Sequence, residues 1–566
     1  MTYTLPPHLR RHRLTLALLS SALFATPALA ISEDAKVVLQ LLVTKGVITQ
    51  KDYDDTLSAL ESKPVEGVPP VQFVQDALGV KATDVQKAAD YAQKDAKNGT
   101  VKPSGNGTVS ADGQSTFNFT AVAHFDARLV NSNITQVSDK DAASGADNFE
   151  LRRARIGING NFTPNINYEV LTNLVGSSPN LIHRAFVNYS YDQAAQVRLG
   201  RFKQPFSLEE LSTANGIDFM ERSYGNQLVP SHRLGAMLHG EPKKGITYGV
   251  SVYQDGFNEI SNTQNIGNLT AARASMNLAE LNDISGAILH FGAAVDKGSY
   301  QVTPSQSADS GFTNSSSSTG QTRATVLSYR TENRGMTNAY RAQIGGDKIS
   351  GTYGGLADNA ADVKKNLTGI ELALAKNAFK FQTEYFNASY DATALNYTAA
   401  GTTNGSATYG GKSHLNLNTK ANYYEFMYNI TGESWSEVYK AGAFSTIKPK
   451  SNFNGIGKGT GAWQTGIRFS QYEVNLPGSG TPGVSGNTKS ITDGGLNGSR
   501  AENSEIAKTV TYGLNWILNP NARIMFNYST TKFERPVYYL STINRTATPE
   551  YTNKENVFSV RSQFNF

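Results

Sequence analysis

No cysteine occurs among the 566 residues, which excludes disulfides, thiol nucleophiles and Cys-ligated metals. Histidine is sparse, with 8 in the chain, and His183 and His232 have no second histidine at metal-ligand spacing. The 51 glycines build no phosphate-cradling loop at a strand–helix junction. Enzyme chemistry therefore finds no constellation to carry it, and no cofactor is called for. Long hydrophobic runs are missing as well. After the first 30 residues no segment approaches the ~20 apolar residues of a membrane helix, and the mean hydropathy is −0.38. Neither sign of charge dominates, with 52 Lys and Arg against 47 Asp and Glu. Nothing here suits nucleic acid, and any charge preference has to come from where the charges sit.

What is present begins with an export signal over 1–30. Arg10, Arg11 and Arg13 form its positive region and Leu14 to Leu23 its apolar region. Ala28-Leu29-Ala30 is the small-x-small cleavage site, so cleavage near Ala30 leaves Ile31 as the mature N-terminus. The apolar run is too short to serve instead as an anchoring helix. Loss of three arginines and no acid lowers the net charge from +5 to +2.

Residues 31–98 read as helical. Ser32 caps one helix that stops at Gly46, and Thr49 to Asp52 has the spacing of a capping box for a second. Gly46-Val47 returns as Gly79-Val80, which predicts a duplicated helix-turn-helix or a trimeric coiled coil in the periplasm. Its sites of use would be peptidoglycan contact or a trimeric stalk. A polar linker over 99–115 follows.

From Thr116 the period changes to two. Phe117, Phe119, Ala121, Ala123 and Phe125 alternate with Asn118, Thr120 and His124. The pattern recurs at 166–170, 185–191, 424–430 and 522–528. Repeated ~10-residue segments with one apolar and one polar face are the sequence signature of a transmembrane β-barrel. Tight links such as Asn519-Pro520-Asn521 alternate with polar loops near 132–146, 204–231, 255–283, 305–321, 391–415, 474–505 and 533–553. The fold class predicted for 116–566 is all-β: an antiparallel outer-membrane barrel of about 16 strands, an even number. A soluble β-sandwich or propeller lacks this turn asymmetry and would need an apolar interior. A plugged active transporter would need a larger folded N-terminal domain.

Several stretches resemble the phosphate-selective porin O and P family. They are Phe149 to Gly157, Leu199 to Leu211 followed by Phe219-Met220-Glu221-Arg222, Arg233-Leu234-Gly235, Ile430 to Glu433, and Asn515-Trp516 before Asn519-Pro520. The resemblance implies an outer-membrane channel for small anions, a homotrimer of 16-stranded barrels and a loop folded into each lumen. That loop is expected near 204–231. A closing Phe566 resembles the signal read by the barrel-assembly machinery. Outer-membrane lipid and lipopolysaccharide are then the surrounding partners, and the cell outer membrane the location.

Alternation assigns faces independently of the family. If Ile156 and Ile158 face lipid, Arg153 and Arg155 face the lumen. The same parity turns Arg184, Arg198, Arg233, Arg341, Lys380, Arg468, Arg523 and Arg561 inward, because Arg or Lys at the bilayer midplane costs ~2–4 kcal/mol. The expected anion pathway is Arg153, Arg155, Arg184, Arg198, Lys203, Arg222, Arg233 and Arg468, with Arg201 nearby. Inward acids at Asp126, Glu169, Glu371, Glu384 and Glu425 offer the alternative that these cations form wall ion pairs. Arg184 departs from the family pattern, which places Asp before the Ala-aromatic pair, and so implies a broader range of oxyanions. Two competing functions remain at this point: a general, weakly selective diffusion pore, and a tether acting through 31–98.

Overall fold

The computed structural model describes residues 101–104, 107–110, 113–131, 148–175, 181–255, 267–302, 324–335, 339–344, 361–398, 408–455, 457, 459–475, 488–491, 499–539 and 550–566. The export signal and the helical reading of 31–98 lie outside the described residues.

Period-two patterning cannot bury its apolar face in a thin polar interior, so the strands turn that face outward and close into a ring. The first wall strands are β1 (Thr116–Asn131), β2 (Asn148–Thr163), β3 (Ile166–Asn173) and β4 (Ile182–Ser190). Then come β5 (Gln196–Lys203), β6 (His232–Lys243), β7 (Ile246–Asp255) and β8 (Gly267–Asn277). They are followed by β9 (Ala287–Val302), β10 (Ala361–Lys376), β11 (Phe379–Thr398) and β12 (Thr408–Asn429). The last are β13 (Ala462–Asn475), β14 (Ile506–Asn519), β15 (Ala522–Tyr539) and β16 (Glu550–Asn565). Each pairs antiparallel with its sequence neighbour, and β16 pairs back onto β1 through Arg561↔Asp126. Sixteen wall strands among the described residues match the expected number. Within the span read as a linker, Gly107–Ser110 also adds to the start of β1.

One rim carries short turns, such as that at Gly245, whose φ of 82° is left-handed. The other rim carries the long loops. Two departures from the sequence reading matter. The span 255–283 is not one loop but contains β8. On the turn rim, the connection from β12 to β13 runs over 430–461 and folds inward, with Trp435 and Phe444 buried beside Leu208 and Phe219.

The interior is not uniformly polar as the patterning suggested. Between β9 and β10, Ala324–Tyr329 and Tyr340–Ile344 form a hairpin that pairs with Ser499–Asn503 from the β13–β14 connection. Tyr329 stacks on Tyr472 at 4.2 Å, and Tyr224 meets both rings edge-on. Small and apolar inward residues of β10 to β12, among them Ala388, Ala392 and Leu417, close this core. Arg341 therefore sits on the inner hairpin, not on the barrel wall. Apolar packing fills the lumen beside β10 to β14 near the loop rim and leaves open space toward β2 to β8.

Candidate functional site

Two β-bulges shape the basic wall. Opposite β1, His124 pairs with Arg153 but Phe125 pairs with Leu151, so Arg152 is the extra residue. Opposite β3, Leu171 pairs with Arg184 but Thr172 pairs with Ile182, so His183 is extra. A bulge breaks strict alternation, and both Arg152 and His183 line the lumenal cavity with their neighbours. Strict alternation would have left Arg152 against lipid at a cost of ~2–4 kcal/mol.

The segment 204–231 leaves β5 and packs inside the barrel. Ser207, at φ 66°, caps the short helix Leu208–Leu211, its Oγ accepting from the Glu210 N–H. Lumenal Glu384 on β11 accepts the Leu208 and Glu209 N–H groups at 3.0 and 2.8 Å. Gly225 lies so close to Phe386 that a Cβ would stand 2.2 Å from the ring. Lys380 binds Asp218 and also pairs with Glu425 at 3.1 Å.

Acids carried by this segment take up particular cations. Glu221 pairs with Arg152 and Arg561, each at 2.9 Å, and Arg561 pairs in turn with Asp126 at 2.6 Å. Burial would raise the Glu221 pKa, but these two guanidinium groups hold it well below the usual carboxylate range. Glu210 is likewise held down against burial by Arg222 and Lys203. Glu209 shifts the other way: burial outweighs Arg468 and lifts its pKa.

On the opposite side of this segment lies a cavity of about 1030 Å³. Six of the eight expected cations line it: Arg153, Arg155, Arg184, Arg198, Lys203 and Arg222. Arg152, Arg273 and Lys440 add three more, against Glu169, Glu210 and Glu241. Arg152 and Arg273 are tied to Glu221 and Glu371, at 2.9 and 2.5 Å, and the others have mostly neutral partners. Arg155 donates to the Asn173 side-chain carbonyl at 2.8 Å, and Arg198 to that of Asn188 at 3.2 Å while lying 4.5 Å over Phe186. Arg153 Nη1 stands 3.0 Å from His124 Nδ1. Lys203 donates to the carbonyls of Glu210 and Ser212. Arg222 donates to carbonyls of the same segment besides its 3.4 Å contact with Glu210. Arg184 alone among the wall cations named first has a close acid, Glu169 at 2.8 Å.

The remaining two expected cations are placed elsewhere. Arg468 is 2% exposed and lies between Glu209 at 3.2 Å and Glu332 at 3.0 Å. Arg233 pairs with Asp255 at 2.9 Å. Sequence reasoning missed Arg152, Arg273 and Lys440. The lipid-exposure cost signalled the first. The second lay in a span read as loop, and the third in a turn-rim connection with no periodicity to orient it.

A family model for phosphate-selective porin O and P matches residues 125–566. Porin O of Pseudomonas aeruginosa is 22% identical over 406 residues, covering 69% of this chain and 78% of that protein. Among solved structures, the outer membrane channel DcaP of Acinetobacter baumannii is 10% identical with a TM-score of 0.40, over 80% of this chain and 98% of that one. An anion-selective porin from Comamonas acidovorans is 11% identical with a TM-score of 0.39, over 80% of this chain and 100% of that one. The family match takes in the whole barrel except the opening half of β1, and the chain belongs to the phosphate-selective porin O and P family, channels of the outer membrane.

Proposed function

We propose that this porin is an anion-preferring diffusion channel for phosphate-like oxyanions, with the basic cavity as its pathway. One observation carries the reading: nine cationic side chains against three acids line a single cavity, and the best placed are held by neutral groups. A guanidinium bound to an amide carbonyl keeps its full charge and spare donors for a passing oxyanion. Successive moderate sites on adjacent strands allow an ion to move on, where one tight site would trap it. The segment 204–231 narrows the path on this reading, and Arg184, already engaged by Glu169, contributes least. The same reading includes cleavage after Ala30, a homotrimer, and engagement of Phe566 by the assembly machinery. Intact and native masses of the membrane-extracted protein test the first two.

The decisive measurement is conductance of the purified protein in a planar bilayer, with reversal potential read in a chloride gradient and current titrated with phosphate. Anion selectivity with saturable phosphate block is expected. Arg153→Ala and Arg155→Ala should each weaken the block roughly tenfold, the worth of a charge-assisted hydrogen bond of about 1.5 kcal/mol. Ohmic, weakly selective current untouched by phosphate would reject the reading and leave a general diffusion pore.

A further inference from the structure

On the outer face of the barrel, Lys508 of β14 pairs directly across from Lys532 of β15, which pairs directly across from Lys554 of β16. All three are exposed. Directly paired residues have Cβ atoms ~5 Å apart, and like charges there are destabilising. Two other outward lysines near this rim face acids, Lys364 opposite Asp391 and Lys420 opposite Glu473, whereas Lys297 faces Thr270 and Asn366 but stands alone. The row at 508–532–554 has no such counterpart. Among the described residues no carboxylate forms an ion pair with it, although Glu473 and Glu534 stand farther out on the same face. Three ammonium groups in a row, with no acid directly opposite any of them, favour an anion from outside the chain.

Its height says which anion. Four residues nearer the turn rim, Tyr512, Tyr528 and Phe558 form a parallel outward row in the same register. The tight turn at Pro520 lies twelve residues from Lys508 along β14 and twelve from Lys532 along β15. Twelve residues at ~3.4 Å each, tilted by ~40°, rise ~31 Å, a little more than the ~25 Å lipid-facing apolar band of such barrels. The lysines thus stand just above the aromatic girdle on the loop rim, where phosphorylated headgroups of the outer leaflet lie.

We propose that Lys508, Lys532 and Lys554 form a binding site for the phosphate groups of lipopolysaccharide. Charge-assisted contacts from three ammoniums would grip the glycolipid phosphate while Tyr512, Tyr528 and Phe558 pack on its acyl chains. The full-length protein, extracted in detergent, is titrated with rough lipopolysaccharide and with its dephosphorylated form, and bound lipid is counted by native mass spectrometry. The wild type should prefer the phosphorylated form. The triple Lys→Gln variant should lose roughly fivefold affinity per ammonium, about a hundredfold in all, and the triple Lys→Arg variant should retain binding. Pore conductance should be the same in all three proteins. Equal binding by the Gln variant overturns the proposal. So does displacement by millimolar inorganic phosphate with no preference between the lipids, which marks a soluble-anion site. Loss of oligomer mass with unchanged lipid binding also overturns it, and marks a contact between copies of the chain.

Discussion

An arginine inside this barrel can act in two ways, and its partner decides which. Arg155 is bound to a neutral amide and faces open space, whereas Arg468 is closed between Glu209 and Glu332 with its guanidinium 4.7 Å from the Phe219 ring centroid. Arg155→Gln should therefore shift the reversal potential toward zero and leave heat stability nearly unchanged. Arg468→Gln should do the reverse, because it strands two buried carboxylates. Breaking one partner of a buried pair costs roughly 3–5 kcal/mol, readable as a lower unfolding temperature of the detergent-solubilised barrel. Identical effects of the two substitutions on selectivity would refute the division. Both arginines satisfy the same parity rule, so the sequence could place them inward but could not separate them.

At the scale of the element, the segment 204–231 is held by carboxylates whose ionisation is coupled to its position. The folded pKa values of Glu210 and Glu221 lie below the ordinary value of 4.5. Their contribution is complete above pH 4.5 and drains away as the pH falls toward the folded values. Glu209 has the opposite sign, since its raised pKa makes ionisation a cost to the folded state. Unfolding temperature should accordingly fall as pH drops below 4.5, and Glu221→Gln should flatten that dependence. Glu221→Gln should also lower stability at neutral pH by roughly 3–5 kcal/mol, with Glu209→Gln costing less. A pH profile unchanged by Glu221→Gln would show that the pins do not hold the segment. The bulges belong to this scale too. A strand with Arg152 and Arg153 in succession must either expose one to lipid or break its alternation, and β2 breaks it. That conflict was visible in the residues, but its resolution depends on which strand lies opposite.

Over the whole barrel, charge is sorted by side. Ion pairs knit 204–231 to β1, β2, β11, β13 and β16, while the cations held mainly by neutral groups, Arg153, Arg155, Arg198 and Lys203, gather on β2 and β5. The apolar hairpin core occupies the rest of the upper lumen, which leaves an eccentric path along the basic wall. A barrel closed between β1 and β16 has all its wall pairings inside 116–566. A chain with the export signal joined to residue 99 should therefore still insert and conduct with unchanged unitary conductance. Loss of sedimentation with the cell wall in that truncated chain would assign tethering to 31–98, and loss of conductance would make that segment part of the pore.

The sequence by itself determined the barrel, its number of strands to a close approximation, its family, and the inward parity of most basic residues. These follow from local rules: period two sets the face, and the bilayer's cost for a charge sets which face is which. Only the tertiary structure decided which cations face open space, where alternation breaks, and that part of the lumen is filled with apolar side chains. Those outcomes depend on contacts such as Arg561 with Asp126, 435 positions apart, and on the inner hairpin meeting 499–503. Pairing across such separations leaves no periodic trace along the chain, because the partner is chosen by ring closure and loop packing.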